Sequence, residues 1–125
     1  PRIMASELRV NTLKDAAGNN SIATSFVANG SAKAWVQGTS AAVLSDSHNI
    51  ASGTDNGTGD YTYAFTSNMG NANYGITTGV LYASLSTFDS AETATGSFNI
   101  RCFTRADSLT ASDNPNASAI QGDLA

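Results

Sequence analysis

The chain has 125 residues and a mass of 12.8 kDa, which is enough for one domain but not for two. Only 13% of the residues are charged, and six Lys and Arg residues with one His give no basic stripe, so we expect no nucleic-acid binding. No apolar run approaches the ~20 residues that a membrane-spanning helix needs, so we also expect no membrane insertion.

Large apolar side chains are scarce. Ala, Ser, Thr, Asn and Gly together make up roughly three-fifths of the chain, far above their usual share. Burying apolar area contributes roughly 25 cal/mol per Å², whereas ordering one residue costs about 1.5 kcal/mol. We therefore expect a fold that is marginal as a single chain and gains burial from identical copies. A monomer with an efficient sandwich core is the alternative.

The first part of the chain contains one predicted strand and one predicted short helix. Residues 8–14 alternate between two faces, which is typical of a strand, and a turn follows at Gly18. Residues 22–28 predict a helix that Ser21 or Thr24 would cap and that Asn29-Gly30 would end.

Period-two patterns then continue through the middle of the chain. Residues 31–37 predict a strand with Trp35 and Lys33 on one face and Ala32, Ala34 and Val36 on the other. Because both faces carry apolar groups, we expect a sheet or subunit contact on each. Residues 41–45 and 48–53 predict two shorter strands, and residues 55–60 form a Gly-rich hairpin turn.

The clearest strands follow that turn. Residues 61–66 place Tyr61, Tyr63 and Phe65 on one face. Residues 74–82 group their aromatic and branched side chains on one face, and Gly75 and Gly79 on the other face indicate close approach of another backbone. Residues 97–105 predict a strand that directs one set of side chains inward and another set outward. Residues 118–125 predict an edge or closing strand. The inward set is Phe98, Ile100 and Cys102, and the outward set is Asn99, Arg101, Phe103 and Arg105.

This spacing of short strands and turns predicts an all-β fold, a small antiparallel β-sandwich or barrel.

The sequence contains few candidate catalytic groups. His48 and Cys102 could form a thiol–imidazole pair, but Cys102 lies on the apolar side of its strand, where we expect a buried, inert thiol.

Acidic side chains offer two weak hypotheses. Asp55, Asn56, Thr58 and Asp60 could bind a hard cation, although the same residues are what a tight hairpin requires, and we favour the turn. Asp89 and Glu92 could serve a glycan depolymerase only if they faced each other across a sugar, and a solvated loop is the simpler interpretation.

The remaining motifs carry less weight. Asn-X-Ser/Thr sequences begin at Asn19, Asn29, Asn56 and Asn116 and are expected by chance in so Asn-rich a chain. A carbohydrate-binding module would need exposed aromatic side chains; the candidates are Tyr74, Tyr82, Phe88 and Phe103, although strand aromatics more often form a core. We therefore assign no catalytic, cofactor-binding or metal-binding residue and expect no enzyme.

Four segments follow one another along the chain: LRVNTLKDAAGNN from residue 8, AKAWV from residue 32, DNGTGDYT from residue 55 and FTSNMGNANY from residue 65. Together they resemble small tail-fibre-like virion proteins of bacteriophages, including phages of marine and freshwater bacteria and cyanophages. The resemblance covers roughly residues 6–82 and, more loosely, the Gly122-Asp123 ending. It departs from the family in a shorter segment between Trp35 and Asp55, in His48, where an aromatic Phe is usual, and in residues 83–117, which do not align.

The resemblance implies a homotrimeric structural protein of the virion, a tail fibre or appendage module involved in host attachment, and it implies no catalytic residues. Residues 1–30 would form the anchoring or oligomerisation segment, and residues 31–125 the β-rich globular head. Its partners would be copies of itself, other virion proteins of the tail or capsid, and a glycan or protein of the host surface. A capsid decoration or head-fibre protein and a carbohydrate-binding module are the alternatives.

Overall fold

The computed structural model describes residues 6–82, 84–104 and 109–125. The chain forms two compact units, Pro1–Ser31 and Ala32–Ala125, which we call the N-terminal unit and the head unit. The elements of the N-terminal unit are β1 (Thr12–Lys14), β2 (Ser21–Ala23) and α1 (Thr24–Gly30). Those of the head unit are β3 (Ala32–Gly38), β4 (Leu44–His48), β5 (Ile50–Gly57), β6 (Asp60–Phe65), β7 (Gly75–Val80), β8 (Ser84–Phe88), a 3₁₀-helix (Ser90–Glu92), β9 (Ser97–Thr104) and β10 (Asn116–Gln121).

The head unit is an antiparallel β-sandwich, as the strand spacing predicts. One sheet has the strand order β4-β3-β10-β7, and the other has the order β5-β6-β9-β8. Every strand pair in both sheets is antiparallel. The all-β prediction is therefore confirmed.

The core of the sandwich is dominated by aromatic residues of two neighbouring strands. Tyr61, Tyr63 and Phe65 of β6 are buried, as their alternation predicts, and Tyr63 stands opposite Phe98 of β9. The rings of Tyr63 and Phe98 lie 5.6 Å apart between centroids, and those of Phe65 and Phe98 lie 5.5 Å apart. Such aromatic pairs add to the stabilisation that comes from buried area alone. The facing sheet supplies smaller side chains, which are Ala34, Val36 and Ile120.

The tyrosine hydroxyls join the two sheets. The Tyr63 hydroxyl donates to Asn116 Oδ1 at 2.9 Å, at the start of β10. The Tyr61 hydroxyl lies 3.2 Å from Asp113 Oδ1 and accepts a hydrogen bond from the Asn114 N–H at 3.2 Å. Two side chains of one sheet therefore fix the segment that leads into a central strand of the other.

The N-terminal unit consists of a short hairpin and one helix. Leu13 stands opposite Ile22 in the β1–β2 pair. The strand predicted over residues 8–14 is present but only three residues long, from Thr12 to Lys14. The helix prediction is confirmed in type, but α1 begins at Thr24 and has no side-chain cap. The Thr24 hydroxyl instead lies 3.1 Å from the Val10 carbonyl oxygen, so the predicted cap is wrong. Across the described ranges, no helix is long and apolar enough to cross a membrane.

Several sequence predictions for the head unit need correction. Asn99, predicted to face outward, lies on the outer face of its sheet but is buried. Tyr82, grouped with the apolar face of its strand, is exposed. β10, predicted as an edge or closing strand, lies between β3 and β7. β8 was not predicted, and Arg105 lies outside the described residues.

The loops between these strands follow turn chemistry. The hairpin that joins β5 and β6 confirms the predicted turn, with Gly57 at φ 144° and Gly59 at φ 67°. A Cβ at Gly59 would also collide with the carbonyl oxygen of Cys102. Both the backbone conformation and the lack of space therefore require glycine at this position.

We expect the head unit to lose stability in alkali. Burial raises the pKa of Tyr63 and of Tyr74 to about 12, and it raises the pKa of Tyr61 as well. Because the folded state holds these protons more tightly, their stabilisation is complete below the ordinary tyrosine pKa of about 10 and is lost as pH rises towards 12. Each group then removes about 1.4 kcal/mol per pH unit from the free energy of unfolding.

The measurement is chemical denaturation between pH 7 and 11.5 at fixed protein concentration, followed by far-UV circular dichroism. Tyr74→Phe should reduce the alkaline slope because it removes one of the titrating groups. A free energy of unfolding that stays constant up to pH 11.5 would contradict this assignment of the buried hydroxyls.

Candidate functional site

The outer face of the sheet β4-β3-β10-β7 presents the chain's one tryptophan to solvent. Trp35 stands on the face opposite Ala34 and Val36, which are buried, and it remains 39% exposed. Residues directly opposite each other on paired strands share a face of the sheet, so the strand register defines Trp35's neighbours. We call this surface the Trp35 face; its members are Trp35, Gln37, Thr77, Gly79, Ala117 and Ala119.

The shape of the Trp35 face follows from its side chains. Ala119 lies opposite both Trp35 and Thr77, and Ala117 lies opposite both Gln37 and Gly79. Two strands of small residues therefore form a floor beside the indole ring. The depression over this floor has a volume of about 470 Å³ and is open to solvent.

Polar groups border the floor. Gln37 lies opposite Asp46 of β4, and Trp35 lies opposite His48 of the same strand. A planar aromatic surface with amide, hydroxyl and carboxylate groups around it can bind a ligand that has one apolar face and several hydroxyls.

Among the residues that the structure describes, none makes the expected close backbone approach to Gly75 or Gly79. A Cβ placed on Gly79 would meet nothing within 4 Å, and one on Gly75 would meet only the Gln121 carbonyl oxygen at 3.7 Å. Gly79 therefore leaves the floor of the Trp35 face open.

The N-terminal unit carries a second candidate surface. None of the residues in α1 is buried, and no residue of β1 or β2 is buried either. Leu8 is 80% exposed and Phe26 is 71% exposed. We call this the N-terminal apolar surface; its members are Leu8, Val10, Leu13, Ile22, Phe26 and Val27.

The acidic side chains form a third cluster, around Arg101. Its guanidinium lies 2.7 Å from Asp60 Oδ2, 3.6 Å from Asp89 Oδ2 and 3.4 Å from Glu92 Oε1. Asp89 also accepts a hydrogen bond from the Ala91 N–H at 3.0 Å at the start of the 3₁₀-helix. Arg101 thereby joins the loop after β8 to the outer face of its sheet.

This arrangement bears on both acidic hypotheses. Asp89 and Glu92 do converge, which the sequence did not indicate, but a guanidinium lies between them where a hydrolase would place a sugar.

The residues proposed for a cation site serve the hairpin turn instead. Asn56 and Asp60 are brought together, with Asn56 Nδ2 donating to Asp60 Oδ1 at 3.2 Å. The Asp55 carboxylate accepts the Gly57 N–H at 3.1 Å, so these groups serve the turn. Within the described ranges, no cluster of three or more His, Cys, Asp or Glu residues is arranged to hold a metal ion.

His48 and Cys102 are not brought together as a catalytic pair. Cys102 is fully buried in the core, and burial raises the pKa of its thiol to about 11. A thiol that keeps its proton at neutral pH is a poor nucleophile. His48 lies in β4 of the other sheet, where it is exposed.

The aromatic candidates divide between core and surface. Tyr74 is buried, its hydroxyl lies 2.8 Å from the carbonyl oxygens of Ala94 and Ser97, and its ring packs edge-on against Phe65. Tyr82 and Phe88 are exposed, and Phe103 is half-buried.

The Asn-X-Ser/Thr sequence that begins at Asn116 is not a surface acceptor. Asn116 is buried, and its side chain is bound to Tyr63 and to the Asn114 carbonyl oxygen. Sequence reasoning did not include Trp35 among the ligand-binding aromatics, although the inward Ala34 and Val36 indicate its outward direction.

No protein-family model, curated protein or solved structure matches the chain. The relationship to phage tail-fibre proteins therefore stays a prediction that rests on the sequence segments quoted above.

The Arg101 cluster gives a stability prediction. Arg101→Met should lower the free energy of unfolding by about 1–2 kcal/mol, because Asp60 keeps a largely buried negative charge without its cation. Added salt should reduce the difference. Arg9→Met is the control, since Arg9 pairs with Glu7 at 2.9 Å and both side chains are exposed.

The measurement is urea denaturation at low and high salt, followed by near-UV circular dichroism. Equal stability of Arg101→Met and the parent chain would show that the carboxylates do not need the guanidinium.

Proposed function

We propose that this protein is a homotrimeric structural protein of a bacteriophage virion, a tail-fibre or appendage module that takes part in host attachment. The observation that carries the proposal is the N-terminal apolar surface. A segment with defined strands and a helix, but with no buried side chain in any of them, needs a partner to cover it.

The energetics of small elements support this step. A seven-residue helix without a side-chain cap is marginal in water, and an isolated two-stranded hairpin is marginal as well. Apolar side chains such as Leu8 and Phe26 would stabilise the segment only when another surface removes them from water.

Copies of the same chain are the partners that the sequence favours. The composition provides few large apolar groups for a monomer's core, and the segment from residue 8 is one of those that resemble phage fibre proteins. Three chains around one axis suit a projecting appendage, because cyclic symmetry closes the assembly while leaving one end free.

Light scattering coupled to size-exclusion chromatography tests the assembly. We expect a particle of three times the 12.8 kDa chain mass at micromolar concentration. Phe26→Ser should weaken it, since it removes an apolar contact, whereas Val43→Ser in the head unit should not. A single species of 12.8 kDa would overturn the proposed oligomer.

Immunogold labelling of virions tests the location. Gold on tails or fibres would support the proposed appendage, whereas gold on heads would support a capsid decoration or head-fibre protein instead. Absence of the protein from purified virions would overturn both.

The Trp35 face favours a second candidate function, saccharide binding. Sugar rings have an apolar face and a rim of hydroxyls, which matches an indole ring beside a small-residue floor with Gln37 and Thr77 at its border. Such an activity would also suit a protein that contacts the surface of a host cell.

A glycan array followed by fluorescence titration tests this candidate. Because Trp35 is the only tryptophan, its emission reports directly on ligand binding. Trp35→Ala should abolish binding, and Val43→Ala, an exposed apolar residue outside the face, should leave it unchanged. No glycan bound by the assembled parent protein would exclude the saccharide function.

A further inference from the structure

The sandwich has two sides at which sheet edges are exposed. β4 and β7 are the edge strands of one sheet, and β5 and β8 are those of the other. β4 leads directly into β5, and β7 lies next to β8. The head unit therefore has a β4–β5 side and a β7–β8 side, each with one edge strand from either sheet.

The β4–β5 side has charged residues and register shifts, which prevent edge-to-edge pairing. β4 contains Asp46 and His48, and β5 contains Asp55. The register of β5 on β6 shifts twice, between Ile50 and Ser52 and between Asp55 and Gly57. Charges and bulges on an edge strand disfavour pairing with another chain.

The β7–β8 side has neither kind of protection. The sequence contains no charged residue and no proline between Asp60 and Asp89. β7 on β10 and β8 on β9 keep a continuous register. Exposed apolar side chains are concentrated at this side; they are Leu81, Tyr82, Leu85 and Phe88. An uncharged, regular edge with exposed apolar groups is a template for another chain.

Electrostatics restrict where copies of this chain, the partners in the proposed homotrimer, can meet. The protein carries a net charge of −4, so two copies repel each other wherever charged surfaces meet. β7 and β8 themselves contain no charged residue, so identical chains approach along these two strands with little of that repulsion, although Asp89 and Glu92, paired with Arg101, follow β8. Three copies can all direct this side towards a common threefold axis.

We infer that the β7–β8 side is the surface through which the head units of neighbouring copies contact each other. This inference rests on the proposed homotrimer and adds a contact in the head unit to the one proposed for the N-terminal apolar surface. The contact buries Leu81, Tyr82, Leu85 and Phe88 and extends along the free edge of β7.

Two charge insertions on the full-length chain test the inference. Leu81→Lys places a cation on the β7–β8 side at a residue that is 65% exposed, so the fold of one chain tolerates it. Val43→Lys is the matched control, because Val43 is 62% exposed and immediately precedes β4 on the other side. Tyr82→Lys is a second variant on the β7–β8 side. Circular dichroism checks that each variant keeps the β-sheet signal.

Sedimentation velocity over a dilution series gives the association constant. We expect Leu81→Lys and Tyr82→Lys to weaken association at least tenfold and Val43→Lys to leave it unchanged. If the parent chain is a trimer and the two β7–β8 variants associate as tightly as the parent, the inference fails while the proposed trimer stands. If the parent chain is a monomer at every concentration, the proposed trimer fails and the inference fails with it.

Discussion

Hydrogen bonds from two core tyrosines hold the sandwich together in a way that apolar packing alone could not. Tyr61 and Tyr63 project from β6, yet their hydroxyls bind the segment from Asp113 to Asn116, which leads into β10 of the facing sheet. A buried hydroxyl without a partner is costly, so the Tyr63 ring requires that segment in place, whereas the Tyr61 hydroxyl also lies 3.1 Å from the Ser40 carbonyl oxygen. The position of β10, and with it the floor of the Trp35 face, depends on this connection.

The same scarcity of large apolar groups explains what lies on the surface. The aromatic rings fill the space between the sheets, so the facing sheet needs only small side chains such as Ala34 and Val36. Apolar residues outside this core, on the N-terminal unit, directly after β7 and along β8, are left exposed. A monomer gains nothing from leaving so many of them in water, whereas an assembly gains stability from each one that it covers.

Local alternation predicted the parts of this structure that depend on neighbours in sequence. The inward direction of Tyr61, Tyr63 and Phe65 follows from period two within one strand, and so does the outward direction of Trp35. The burial of Asn99 does not follow from alternation, because it depends on a contact with another strand. The Asn99 side-chain amide donates to Asp60 Oδ1 at 2.7 Å across the β6–β9 pair. The central position of β10 also depends on contacts distant in sequence, and the clustering of Asp89 and Glu92 on Arg101 depends on the fold of the loop after β8.

The two surfaces proposed here share one strand. The Trp35 face ends at β7, whose free edge belongs to the β7–β8 side, and Trp35 itself lies two strands away, on β3. Strands in a sheet are about 4.8 Å apart, so the indole ring stands about 10 Å from that edge. Copies that meet along β7 would therefore bring the Trp35 face close to the neighbouring chain and present three such faces on one particle. Shallow, open sites bind single ligands weakly, but three linked sites on a host surface bind with much higher avidity, which suits a protein whose proposed role is attachment.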